Sequence, residues 1–297
     1  MFLNNEVLYI CMAGTFSRSW EITKLSFGVI GKDKEMLAFP ILSGIFSLLF
    51  IVAILFPTII VGMLAGNEFQ GGIFELLILF VVYLGLAFIA TFFNVATVYT
   101  AKKRFEGGNA TFFESISFAF SKLWIIFLWA LVSAIVGILL RLIEMAAERA
   151  GKVGEIVLTV VRLGLGAAWS IVTVFVIPIL VYKGHTPFDA IKESTKTIKK
   201  TWGESLIRAF GLGLVELLLI VLGVVLTILG VFLVASLGVS AILFVIGLGI
   251  FFVLSVIIVF GVANNIYNTA LYVYAETGKI PEGFNKEVLA HAFEENK

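Results

Sequence analysis

The residue best placed to do chemistry in an otherwise inert chain is Glu216, which sits in the run Leu212-Gly213-Leu214-Val215-Glu216-Leu217-Leu218. A carboxyl group inside apolar sequence can exchange a proton, bind a small polar solute, or hydrogen-bond to amides. Ionisable groups in such surroundings are costly and are functional candidates by default. At comparable depth the sequence offers Asn94, Asn264, Asn265 and Asn268 as partners. The alternative for this set is interhelical glue, where each hydrogen bond contributes about 0.6–2 kcal/mol. A second constellation is cationic. Lys192, Lys196, Lys199 and Lys200 lie on one side of the segment 187–202, with Ile191, Ile198 and Trp202 at helical spacing on another. A helix of this kind can lie in the headgroup layer, each lysine attracting anionic lipid by about 1 kcal/mol. The alternative is a basic linker packed on the bundle.

Other chemistry is thinly represented. His185 and His291 are the only histidines and Cys11 the only cysteine, so neither a metal site nor a disulfide is expected. No phosphate-binding loop, nucleophile elbow or paired acid site occurs, so no enzymatic activity and no cofactor are expected. A net charge of +1 provides no field to recruit nucleic acid.

The elements that must carry these residues follow from composition. Sixty per cent of the 297 residues are hydrophobic and 14 per cent are charged, with a mean hydropathy of +1.09. A water-soluble fold must cover its exterior with more polar surface than this. The solvent is therefore lipid. About 20 apolar residues cross about 30 Å of hydrocarbon, and six runs qualify, near 36–65, 73–101, 123–140, 156–181, 206–235 and 239–275. The runs are solidly apolar rather than alternating, which points to helices and not strands. Ser236-Leu237-Gly238 divides the last two, and Pro57 and Pro178 should kink their spans. Glycines at small-x-x-x-small spacing, such as Gly62 with Gly66 and Gly164 with Ala168, favour close helix contact.

Basic residues set the expected orientation. Arg18, Lys24, Lys32 and Lys34 precede the first span, Lys102, Lys103, Arg104 and Lys122 follow the second, and the lysine-rich segment follows the fourth. Both termini are thus expected in the cytoplasm, in a multi-pass protein of the cell membrane. The Met1–Leu3 end carries Glu6 and no basic cluster, so a cleaved signal peptide is not expected. Arg141, Arg149 and Lys152 dissent, but alternate with Glu144, Glu148 and Glu155 and read as a salt-bridged cap on the outer side. Arg162, about 9 Å in from that side at helical rise, is too far from Glu216 to pair with it and would meet Glu155, Glu144 or Glu75.

The chain also rhymes with itself. Thr111-Phe112-Phe113-Glu114 and Thr186-Pro187-Phe188-Asp189 stand 75 residues apart, and each forms a capping box opening a helix that runs to a tryptophan, Trp124 or Trp202. Thr15, Phe16 and Trp20 form a weaker first copy. The reading is one membrane domain over 1–297, built of repeats at 15–105, 109–184 and 186–275 with a cytoplasmic tail at 276–297. Each repeat is an interfacial helix followed by a hairpin, giving an all-α, polytopic bundle of six transmembrane helices in three parallel units. Mitochondrial carriers also have three two-span units, but their Pro-x-[Asp/Glu]-x-x-[Lys/Arg] signature is absent, which excludes that family.

Two runs carry a resemblance. One is Ser19-Trp20, Ser26-Phe27, Gly31-Lys32-Asp33-Lys34-Glu35-Met36-Leu37, Pro40 and Ser43-Gly44; the other is Asn268-Thr269-Ala270-Leu271-Tyr272-Val273-Tyr274-Ala275 with Gly278, Pro281 and Phe284. With them the chain resembles an uncharacterised prokaryotic family of six-span membrane proteins, a domain of unknown function. It is more loosely similar to the membrane domains of glycerophosphodiester phosphodiesterases, but their soluble catalytic domain is not expected here. The resemblance implies a fold and no catalytic residues. Two functions follow as expectations. One is a non-enzymatic protein that interacts with membrane lipid or scaffolds a partner. The other is a small-solute or proton-coupled transporter working through Glu216 and the asparagines. No feature of the sequence identifies a protein partner or an oligomeric state.

Overall fold

The computed structural model describes residues 24–65, 73–201 and 211–284, without the side chains of 64, 65, 200, 201, 211, 212 and 214. Among the described residues every regular element is helical. In lipid the backbone has no water to bond to, so apolar runs must satisfy their amides internally, and helices do this. A short helix α1 (24–32) leads through a 3-10 turn, Lys34–Leu37, into α2 (Ala38–Ala65), followed by α3 (Ile73–Phe105). The short α4 (Phe112–Ser121) precedes α5 (Leu123–Arg149), α6 (Gly151–Val172) and α7 (Val176–Lys183). α8 (Pro187–Thr201) precedes α9 (Gly211–Val234) and α10 (Val239–Thr277). Six spans are long and apolar enough to cross a membrane, with α6 and α7 forming one of them. The protein is an all-α, polytopic membrane bundle.

Several expected boundaries shift for physical reasons. α3 runs on to Phe105 and α5 to Arg149, past the apolar limits at 101 and 140, because a helix need not stop where hydrocarbon does. The fourth span is interrupted at Thr173–Phe175, ahead of Pro178. A proline ring clashes with the carbonyl four residues earlier, here that of Val174. Pro57 lies inside α2, which remains helical throughout. The fifth and sixth spans are separated where expected: a 3-10 turn, Ala235–Leu237, ends at Gly238 with φ of +100°, a conformation glycine adopts without strain.

The chain forms two compact units. Among the described residues the first comprises 24–37, Lys103–Asn109, 199–201 and 211–284; the second comprises 38–65, 73–102 and Ala110–Ile198. In the first, α9 packs antiparallel on α10. Gly223 lies against Phe252, Thr227 against Gly249, and Gly230 against Val245, so small residues on each helix admit larger ones from the other. The ring of Phe27 meets Phe260 edge-on at 5.4 Å, and Phe105 meets Phe284 at 6.0 Å. In the second unit α5 packs on α6, with Trp129 and Trp169 stacked at 5.7 Å. Its core gathers Phe39, Phe92, Phe93, Val95, Ala96, Ala119, Ile126 and Val181.

Candidate functional site

Polar chemistry concentrates where the short helices meet the spans. Thr111 caps α4 through a complete capping box: its hydroxyl accepts from the Glu114 amide at 3.3 Å, and the Glu114 carboxylate accepts from the Thr111 amide at 2.8 Å. Two of the helix's orphan amides are thereby satisfied. α4 then buries Ser115 and Ala119 and exposes Phe113. The Ser115 hydroxyl bonds to that of Thr100 on α3 at 2.7 Å.

α8 shows a related plan 75 residues later, with the acid turned to the cap hydroxyl and not, as expected, to the cap amide. The Thr186 hydroxyl donates to the Asp189 carboxylate at 2.6 Å and accepts from its amide at 3.4 Å. Ala190 and Ser194, the counterparts of Ser115 and Ala119, are buried, and Phe188, the counterpart of Phe113, is exposed. Thr197 and Ile198 complete the buried face, whereas Lys192, Lys196 and Lys199 are exposed. Lys200 closes the same helix, and its side chain lies outside the described set, as does Trp202. The buried Ser194 hydroxyl accepts from the Phe175 amide at 3.3 Å. That amide belongs to the break ahead of Pro178, so α8 bonds to the fourth span at its break. Glu193 on α8 joins it to the end of α7, ion-paired with Lys183 and 2.9 Å from Nδ1 of His185.

Glu216 is half-buried on α9, between buried Val215 and exposed Leu217. Among the described residues no hydrogen bond or ion pair reaches its carboxyl group. The antiparallel register of α9 and α10 puts it opposite residues 259–260, about 7 Å short of Asn264 at helical rise. Asn264 is exposed and accepts from the Asn268 amide at 3.5 Å, while Asn265 and Asn268 are half-buried. These three form a polar stretch along α10. Asn94 lies half-buried on α3, in the other compact unit. On α5, Arg141 pairs with Glu144 at 2.9 Å and Glu148 at 3.6 Å, and Arg162 reaches Glu144 at 4.0 Å. Glu144 is thus the partner Arg162 takes among the three acids expected for it.

With this geometry in hand, a family model described as a family of unknown function, DUF6159, matches residues 73–283. The chain belongs to this family. No curated protein matches it. The DUF6159 match begins at α3 and takes in both capped short helices, Glu216 and the asparagines of α10.

Sequence reasoning missed a constellation in the first unit of this DUF6159 chain. Nε and Nη2 of Arg104 donate to the two carboxylate oxygens of Asp33, and Nη2 also donates to Asn109 Oδ1 at 3.0 Å. The Asp33 side chain is only 6% exposed and that of Arg104 19%, so this is a largely desolvated bidentate pair. It ties the segment before α2 to the end of α3. Beside it Lys32 pairs with Glu282 at 3.2 Å, with both side chains about half exposed. The only sequence signal was an aspartate set between Lys32 and Lys34, and one arginine among lysines at 102–104.

Proposed function

We propose that this DUF6159 protein is a non-enzymatic, multi-pass protein of the cell membrane that engages membrane lipid through α4 and α8, with both termini in the cytoplasm. The observation that carries the reading is the division of α8: Ala190, Ser194, Thr197 and Ile198 are buried while Lys192, Lys196 and Lys199 are exposed. A helix fixed by one face and presenting lysines from another is suited to anionic headgroups. The exposed rings of Phe113 and Phe188, at matching places on the two helices, are suited to the headgroup–acyl boundary. Related caps, buried small pairs and exposed rings also support an internal repeat. The test is the lipid retained by the full chain when it is extracted from membranes of mixed zwitterionic and anionic composition. Wild type should enrich anionic lipid, and Lys192→Gln/Lys196→Gln/Lys199→Gln/Lys200→Gln should abolish the enrichment. Equal retention by both forms refutes the reading.

The alternative function is a small-solute or proton-coupled transporter. Its support is Glu216, a half-buried carboxyl group on a membrane span without a hydrogen-bond partner among the described residues. A Glu216→Gln protein with wild-type stability and unchanged proton flux in proteoliposomes removes it.

A further inference from the structure

The second unit contains a groove that none of this chemistry uses. It has a volume of about 360 Å³, within the range of about 300–1,000 Å³ typical of ligand sites. Its walls come from α2, α3, α4 and the start of α5. All ten lining side chains are apolar and six are phenylalanine. The groove lies beside the buried edge that anchors α4. Ser115 and Ala119 are buried and Ser115 is bonded to Thr100. Phe112, Ile116 and Phe120, spaced four apart and hence on one helix edge, form a wall of the groove. Ring contacts brace the walls: Phe92 meets Phe120 edge-on at 5.0 Å, and Phe46 stacks on Phe93 at 5.9 Å.

We propose that this groove binds one acyl chain of a membrane phospholipid and retains it as a bound lipid. The proposal deepens the lipid reading above by naming where a lipid tail sits. Water is a poor occupant, because it needs two to four polar partners and the lining offers no polar side chain. A polar solute fails for the same reason. Hydrocarbon lies at the mouth: Phe46 and Phe120 line the groove and are also 50% and 57% exposed, so the groove continues into the lipid-facing surface. Trp124, next to the lining residue Leu123, is exposed as an interfacial tryptophan would be, which sets the mouth just inside the headgroup layer. A flexible chain entering from that level can thread between the rings and gain close dispersion contacts that mobile bulk lipid does not give it.

The test uses the full chain in detergent micelles doped with phosphatidylcholine, read by native mass spectrometry during detergent dilution. Wild type should keep one phosphatidylcholine per chain. Ile116→Trp, which fills the groove, should lower that occupancy by about tenfold, equivalent to 1.4 kcal/mol. Ala53→Leu, which fills a separate apolar groove beside Pro57, should leave it unchanged. If Ile116→Trp does not fold, Leu42→Trp on the opposite wall replaces it. A wild type that retains no phosphatidylcholine, or a filled groove that retains as much as wild type, overturns the proposal. Because the probe is zwitterionic, the two readings fail separately. Equal anionic retention by wild type and the lysine variant, with the phosphatidylcholine still bound, sinks only the headgroup role of the lysines, and the reverse result sinks only the groove.

Discussion

Replacing Asp33 by asparagine isolates a largely buried, bidentate ion pair. Asparagine keeps the shape and one acceptor but removes the charge that Arg104 grips with two donors. Breaking a buried ion pair by removing one partner costs about 3–5 kcal/mol, because the other charge stays desolvated. Two features reduce that figure here. Arg104 is 19% exposed and so keeps some access to water, and it retains its bond to Asn109. The expected destabilisation is therefore about 2–3 kcal/mol, in the range of charge-assisted hydrogen bonds rather than of a fully buried pair. Arg104→Met should cost a similar amount, and the double variant Asp33→Asn/Arg104→Met should recover about 2 kcal/mol of the sum, since it leaves no charge unpaired. Glu282→Gln is the internal control. It removes the neighbouring ion pair with Lys32, whose side chains are 52% and 49% exposed, and an exposed pair contributes at most about 0.5–1 kcal/mol. The assay is reversible unfolding of the full chain in mixed micelles, run as a complete double-mutant cycle. A coupling energy below about 0.5 kcal/mol, or an Asp33→Asn protein no weaker than Glu282→Gln, refutes the argument that burial makes this pair stronger than its neighbour.

Thr111→Ala removes half of the α4 capping box and should cost about 1 kcal/mol, seen as faster amide exchange confined to the first turn of α4 and not as global unfolding. Gly249→Ala directs a methyl group at the Thr227 side chain, whereas Gly247→Ala meets nothing within 4 Å; the first should lower the melting temperature and the second leave it unchanged or raise it. Gly238→Ala forces a non-glycine residue to φ of +100° and should cost about 1–3 kcal/mol, measured by the same thermal unfolding. Ser194→Ala leaves the Phe175 amide without its described acceptor and should cost about 1–3 kcal/mol, while Thr195→Ala, next to it on α8, should cost less because the Thr195 hydroxyl bonds only to a carbonyl within the helix.

What could be read directly from the residues was whatever lipid or a single turn dictates. Six spans, the division at Gly238 and the Thr-x-x-acid caps depend on hydropathy or on contacts three residues apart, and both leave a local trace. Helix ends were less legible, because α5 continues to Arg149 through Arg141, Glu144 and Glu148, whose mutual pairing suits a helix outside hydrocarbon as well as within it. The non-local polar contacts were not legible at all. Asp33 and Arg104 are 71 residues apart, and although Lys32 and Lys34 bear on orientation, nothing local marks the aspartate between them for burial. Thr100 with Ser115, and Ser194 with Phe175, were hidden for the same reason: a serine or threonine announces nothing until a backbone break or a second hydroxyl is placed beside it.

These contacts share a location in their elements, and that bears on where function lies. In the first unit Asp33–Arg104 joins the approach to α2 with the last residues of α3. In the second, Thr100–Ser115, Ser194–Phe175 and the Glu193 cluster join span ends to the short helices α4 and α8. The other ends of the spans are held differently, by glycines against larger side chains in α9 and α10 and by a half-exposed charge ladder in α5 and α6. Polar groups removed from water are costly unless paired, so their accumulation at one set of helix ends means that the sequence specifies geometry there closely. It holds α4 and α8 by buried small residues and hydroxyls while leaving Phe113, Phe188, Lys192, Lys196 and Lys199 exposed. A linker needs only to connect, and any helical segment of suitable length would serve. Helices that are capped, bonded to spans and still display rings and cations outward suit the lipid contact proposed for them.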